Sequence, residues 1–180
     1  TVVEISEGMR RAVHDLAMLL DRGYPEPSTR QLVADRYRLA GDERALLYRG
    51  VHSRAASAGR DLKRCALDKV GAGPLHIDAL NVVYTVAAYF LGKPVFIATD
   101  GWLRDSAELH GTLIPDDIRD RSVSLLADLL AAHAGQWREV TLLVDVSADI
   151  AAPLSRAFEE ARAGEQTLSI GIVRDGRVDR

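Results

Sequence analysis

Four aspartates each stand directly after a short, largely apolar run. Asp78 follows Leu75-His76-Ile77, Asp100 follows Phe96-Ile97-Ala98-Thr99, Asp145 follows Leu142-Leu143-Val144 and Asp175 follows Ile172-Val173-Arg174. If these runs are strands of an open α/β sheet, the aspartates lie at the strands' carboxyl ends, where such sheets form their ligand crevice. Carboxylates gathered there repel one another, and a hard divalent cation, Mg²⁺ or Mn²⁺, is the usual compensation. The chemistry this implies is metal-assisted phosphodiester hydrolysis, with the ion activating a water molecule and a second ion stabilising the leaving oxygen. Asp78, Asp100 and Asp145 form the expected metal set, with Asp105 close by as a further catalytic acid. Crowding should then raise the pKa of at least one of them. The competing reading is that aspartate caps the helices and turns that follow strands. Asn81 either orients substrate or caps the helix after Asp78.

The remaining reactive residues carry less. His14, His52, His76, His110 and His133 share no metal-ligand spacing. His110 lies in the segment from Asp100 to Gly111 and, with Arg104, is a candidate to contact substrate. Asp116, Asp117 and Asp120 follow Pro115 at a helix start, where negative charge suits the helix dipole. Neither a G-x-S-x-G elbow nor a phosphate-binding P-loop occurs, which removes the common serine hydrolase and nucleotide triphosphatase classes.

The elements that would position these residues fall into two halves. Ile5, Met9, Val13, Leu16 and Leu20 recur at steps of three and four and predict an amphipathic helix, ended by Asp21-Arg22-Gly23. Ser28-Thr29-Arg30-Gln31 has capping-box form and predicts a second helix with Leu32, Val33 and Tyr37 on its apolar side. A third is expected from Asp42 through Leu46, Leu47 and Val51, and a fourth over 57–67. The core of this half should include Leu16, Leu20, Leu32, Tyr37, Leu46 and Leu47. Gly71-Ala72-Gly73-Pro74 then breaks the pattern. Strands over 75–77, 94–98, 140–144 and 168–173 alternate with helices over 82–91, 115–134 and 150–163. That alternation predicts a mostly parallel sheet with helices on both faces and Ile77, Phe96, Ile97, Leu142, Leu143 and Val144 inside it. The expected domains are 1–70, helical, and 74–180, α/β.

Composition sets outer bounds. The 180 residues are 47% hydrophobic, enough to bury a core, and no run approaches the roughly 18 apolar residues of a membrane span. The start Thr1-Val2-Val3-Glu4 lacks the features of a signal peptide, and the single Cys65 excludes an internal disulfide and every multi-cysteine zinc site. A cytoplasmic protein without membrane contact is expected. The net charge of −3 hides an asymmetry, since residues 1–72 sum to +3 and residues 73–180 to −6. A basic first half either presents an ordinary solvated surface or touches phosphate.

Two stretches resemble a prokaryotic domain-of-unknown-function family, numbered four hundred and thirty-four, in which a helical domain precedes a PIN-like domain. The first runs from Ala12-Val13-His14-Asp15-Leu16 through Leu20-Asp21-Arg22-Gly23-Tyr24-Pro25 and Leu32-Val33-Ala34-Asp35-Arg36-Tyr37 into Arg49-Gly50-Val51. The second is Ile77-Asp78-Ala79-Leu80-Asn81-Val82, followed by Asp100-Gly101, Arg104-Asp105 and His110-Gly111. The resemblance implies a PIN-like α/β fold and a nuclease site at Asp78, Asp100, Asp105 and Asp145. Ala79 stands where the family has glycine, and the late part of the domain is expected to be shortened. The expected function is a metal-dependent RNA endonuclease, whose partner is RNA and which leaves a homo-oligomer open. The alternatives are a non-catalytic nucleic-acid-binding protein, with a helix-turn-helix over Ser28 to Val51, and a protein that binds small phosphorylated molecules in the same crevice.

Overall fold

The computed structural model describes residues 5–66, 69–71, 73–107, 114–133, 135–137, 139–144, 150–161 and 170–174. The elements run α1 (Glu7–Asp21), α2 (Glu26–Arg36), α3 (Gly41–Gly50), α4 (Arg54–Asp61), β1 (Pro74–Asp78), α5 (Ala79–Phe90), β2 (Val95–Ile97), β3 (Leu103–Asp105), α6 (Asp116–Ala132), β4 (Glu139–Val144), α7 (Ala151–Ala161) and β5 (Ile170–Arg174). The fold mixes helices with a small parallel sheet. Contacts divide the chain into one unit of Thr1–Arg64 with Ala88–Leu109 and a second of Cys65–Ala87 with His110–Arg180. Among the described residues, no helix is long and apolar enough to cross a membrane.

In the first unit α1 forms where its periodicity predicts. Ser6 caps it by accepting the Met9 N–H at 3.1 Å, and Met9, Ala12, Leu16 and Leu20 are its buried stripe. Helix α2 departs from expectation. It begins at Glu26, with Pro25 before it and Pro27 in the first turn, where a missing N–H removes no helical bond. The Ser28 and Thr29 hydroxyls donate to the Pro25 carbonyl at 3.2 and 2.6 Å, so no capping box forms at Ser28. Thr29, Val33 and Ala34 are the buried side of α2, and Leu32, expected in the core, is 63% exposed. Leu39, Leu46, Leu47 and Val51 complete the cluster. Tyr37 packs at its margin and donates to Asp15 Oδ2 at 2.7 Å.

The segment expected to add a strand to the parallel sheet does not do so. Strands β2 and β3 pair antiparallel, Val95 opposite Asp105 and Ile97 opposite Leu103, in a separate two-stranded sheet grouped with the helices. The cause is the turn between them. Ala98 N–H donates to the Trp102 carbonyl at 2.9 Å, Gly101 N–H to the Ala98 carbonyl at 2.8 Å, and Gly101 has φ +76°, which glycine tolerates best. The reversal leaves Ile97 66% exposed and turns Phe96 onto the helical cluster, so neither lies inside the parallel sheet. Gly50 admits this docking, because a Cβ there would sit 2.9 Å from Phe96 Cε2. Thr99 N–H donates to the Gly50 carbonyl at 2.8 Å, and His52 N–H to Thr99 Oγ1 at 3.0 Å.

The second unit holds the parallel sheet, in the order β1-β4-β5. Val140, Leu142 and Val144, which share one face of the central strand β4, are fully buried, whereas Leu143, expected inside the sheet, alternates onto the other face and is half-buried. Their cluster takes in Ala79, Leu80 and Val83 of α5, Val123, Leu126, Ala127 and Leu130 of α6, and Ala151, Leu154 and Phe158 of α7, with Ile77 packed at its edge.

Candidate functional site

Asp78 is the last residue of β1, and α5 begins immediately after it. Its Oδ1 accepts the Asn81 backbone N–H at 3.1 Å and its Oδ2 accepts the Asn81 side-chain amide. Asp78 thus caps α5, and Asn81 orients the carboxylate rather than being the cap itself. Among the described residues each Asp78 oxygen accepts one hydrogen bond, from Asn81, and carboxylate oxygens are the donors that Mg²⁺ and Mn²⁺ prefer, so this residue fits a metal ligand. Strand β1 pairs in parallel with β4, with Ile77 opposite Leu142 and Asp78 opposite Leu143. Asp145 follows Val144, the end of β4, in the sequence and lies outside the described residues, as do His110 and Asp175. Among the described residues, no group of three or more His, Cys, Asp or Glu side chains is gathered to hold a metal ion.

Asp100 and Asp105 belong to the first unit and are differently engaged. The Asp100 side chain is fully buried. Its Oδ1 accepts Arg104 Nη1 at 2.8 Å and the Trp102 N–H at 3.2 Å, and its Oδ2 accepts Arg104 Nη2 at 2.8 Å and Arg60 Nη1 at 2.9 Å. All four lone-pair positions are filled by N–H donors. A metal ligand was expected here, but guanidinium groups occupy the places a cation would take. Crowding was expected to raise the pKa of at least one of the aspartates, and at Asp100 the pKa is lowered instead. Burial pushes the Asp100 carboxyl up, but the Arg104 hydrogen bonds, the Trp102 N–H and the Arg104 charge outweigh it and hold the group at about 2. Asp105, also buried, accepts the Ala107 N–H at 2.9 Å and Arg49 Nη2 at 3.3 Å. Arg104, expected to contact substrate, spends both terminal nitrogens on Asp100.

His52, which spacing alone did not single out, completes this cluster. Its Nε2 is buried 3.7 Å from Asp100 Oδ2, with no hydrogen-bond partner among the described residues. Burial, then the charges of Arg104 and Arg60, depress its pKa and favour the neutral ring. The sequence signal that could have revealed the cluster is the arginine content of 49–64, set against two aspartates flanking Arg104 at short range. The chemistry available here is anion recognition and charge pairing.

Residues 9–63 match the family described as protein of unknown function (DUF434), and residues 67–170 match the domain of unknown function DUF5616. The two matches meet near Arg64 and Cys65, one of the places where the contacts divide the chain, but Ala88–Leu109 of the first unit falls within the DUF5616 match. A similar protein is the uncharacterised protein MJ0935 of Methanocaldococcus jannaschii, 25% identical over 122 residues. The aligned region is 68% of this chain and 59% of that protein's length. No solved structure matches the chain. The DUF5616 match takes in more than half of the residues, and the chain therefore belongs to that family, with a stretch similar to DUF434 before it.

Proposed function

We propose that this protein is a metal-dependent nuclease with a PIN-like second unit, that its substrate is RNA, and that Asp78 and Asp145 are its principal metal-binding carboxylates. The observation that carries the reading is the parallel pairing of β1 with β4, which sets Asp78 opposite Leu143, two residues before Asp145 in the chain. Neighbouring parallel strands followed by carboxylates are the arrangement in which an α/β sheet binds ligands beyond its carboxyl edge. Asn81 holds the Asp78 carboxylate in one orientation, as residues behind a metal ligand do. Bound Mg²⁺ or Mn²⁺ would supply an activated water and charge for the leaving oxygen. Asp100, Asp105 and Arg104 serve architecture in this reading, and a reducing cytoplasm suits the lone, exposed Cys65.

The test is cleavage of labelled single-stranded RNA by the purified chain with Mn²⁺. Activity that EDTA abolishes and that Asp78→Asn lowers by more than about tenfold is expected. No Mn²⁺-dependent cleavage of any single-stranded or structured RNA would dismiss the proposal.

A further inference from the structure

The turn between β2 and β3 carries an aromatic platform with a cation laid across it. Trp102 is 40% exposed, and the Arg64 guanidinium carbon stands 5.2 Å from the centre of its ring. Arg64 Nη2 also donates to the Asp100 carbonyl at 3.0 Å. Gly101 makes room for this placement, since a Cβ there would lie 2.5 Å from the same nitrogen. Beside it, Arg60 reaches Asp100 Oδ2 with one nitrogen.

Each guanidinium offers five N–H donors, and the buried Asp100 residue takes one from Arg60 and one from Arg64. Both side chains remain 41% exposed, and the Asp61 carboxylate stands 3.8 Å from Arg64 Nε. Asp100 thus anchors the arginines without consuming their donors.

We propose that Arg60, Arg64 and Trp102 form a binding site for single-stranded nucleic acid, in which the guanidiniums take backbone phosphates and the indole stacks one unpaired base. The proposal rests on the reading of the protein as acting on RNA, and it uses residues of the first unit other than Asp78 and Asp145. A ring face beside phosphate-binding donors is the pairing that single strands satisfy. A duplex keeps its bases stacked inside, and an acidic peptide offers anions without a base.

The experiment uses the full chain in EDTA, so that no metal-dependent cleavage contributes, with a fluorescein-labelled oligouridylate of about 12 nucleotides, within the span such sites cover. Anisotropy should report salt-sensitive binding, and tryptophan emission should be quenched on saturation. Trp102→Ala should weaken binding about tenfold or more. Arg64→Gln and Arg60→Gln should each lower the salt slope by about 0.7. Trp102→Phe needs no change in folding and should abolish the quenching, because the remaining Trp137 is buried. Binding in EDTA that ignores Trp102→Ala, equal competition by a duplex or by polyglutamate, or no binding at all would each overturn the site. Asp78→Asn should bind as the unsubstituted chain does. Loss of cleavage with binding intact therefore touches the nuclease reading alone, whereas cleavage by a chain indifferent to Trp102 and Arg64 defeats this site alone.

Discussion

Arg104 grips Asp100 with two parallel hydrogen bonds of 2.8 Å across the turn that joins β2 to β3. Paired in this way, a planar guanidinium and a carboxylate fix each other's orientation, and the Arg60 bond ties the turn to α4. Asp100→Asn should destabilise the chain by about 2–4 kcal/mol, since it leaves clustered guanidiniums without their anion. The upper end of the buried-pair range is not expected, because Arg60 and Arg104 retain partial exposure. Urea unfolding of the two proteins checks this, and equal midpoints would remove Asp100 from its anchoring role.

The same pair sets a pH dependence. The Asp100 pKa falls from 3.8 to about 2 on folding, so its contribution is fully present above the unfolded value and is lost as pH drops through the folded one. His52 acts in the same direction at higher pH. Its folded pKa lies below 6.5, so acidification below that value favours the unfolded chain. Melting temperature should decline below pH of about 6.5 and again between about 4 and 2. His52→Gln should reduce the first decline and Asp100→Asn the second, which Asp21, its carboxyl also held low by the Arg54 backbone N–H, shares; profiles unchanged by either substitution would contradict the assignment.

Leu16 is fully buried in the helical cluster, and Leu16→Ala should cost about 2–5 kcal/mol. Leu32→Ala, at an exposed position of α2, should stay within about 0.5 kcal/mol. A larger loss at Leu32 than at Leu16 would reverse the orientation given to α2.

Capping and chemistry can be separated at Asp78. Asp78→Ala removes the acceptor for the Asn81 N–H and should lower stability by about 1 kcal/mol. Asp78→Asn keeps a capping oxygen while deleting the charge, so its melting temperature should stay near that of the unsubstituted chain while RNA cleavage falls. A variant that loses stability and cleavage in proportion would reduce Asp78 to a cap.

How far the sequence reveals the molecule differs between the units. Leu142 and Val144 announce a buried strand because an uninterrupted apolar run has few other uses, and the three-and-four spacing of Met9, Leu16 and Leu20 leaves one face for α1. Leu32 misleads because adjacent residues of a helix lie about 100° apart, so the face of α2 that buries Thr29 and Val33, four residues apart, leaves Leu32 outside. Phe96 and Ile97 read as a sheet strand, yet pairing direction depends on a tight turn at Asp100-Gly101, which apolar periodicity does not register. The aspartates show the same limit. Position after a strand is visible in sequence, but Asp78 is engaged by Asn81 through a helix cap and Asp100 by Arg104 across a tight turn, local geometry that strand position does not reveal, while Arg60 reaches Asp100 from a distant helix.

The most direct measurement of the central claim is calorimetric titration of Mn²⁺ into the unsubstituted chain, Asp78→Asn, Asp145→Asn and the double variant. If the two carboxylates share one ion, each single substitution should weaken binding by at least about tenfold, and the double variant should lose little more than either single one. Mn²⁺ should also raise the melting temperature of the unsubstituted chain alone. Affinities that are indistinguishable among all four proteins would contradict the shared metal site and, with it, the proposed nuclease.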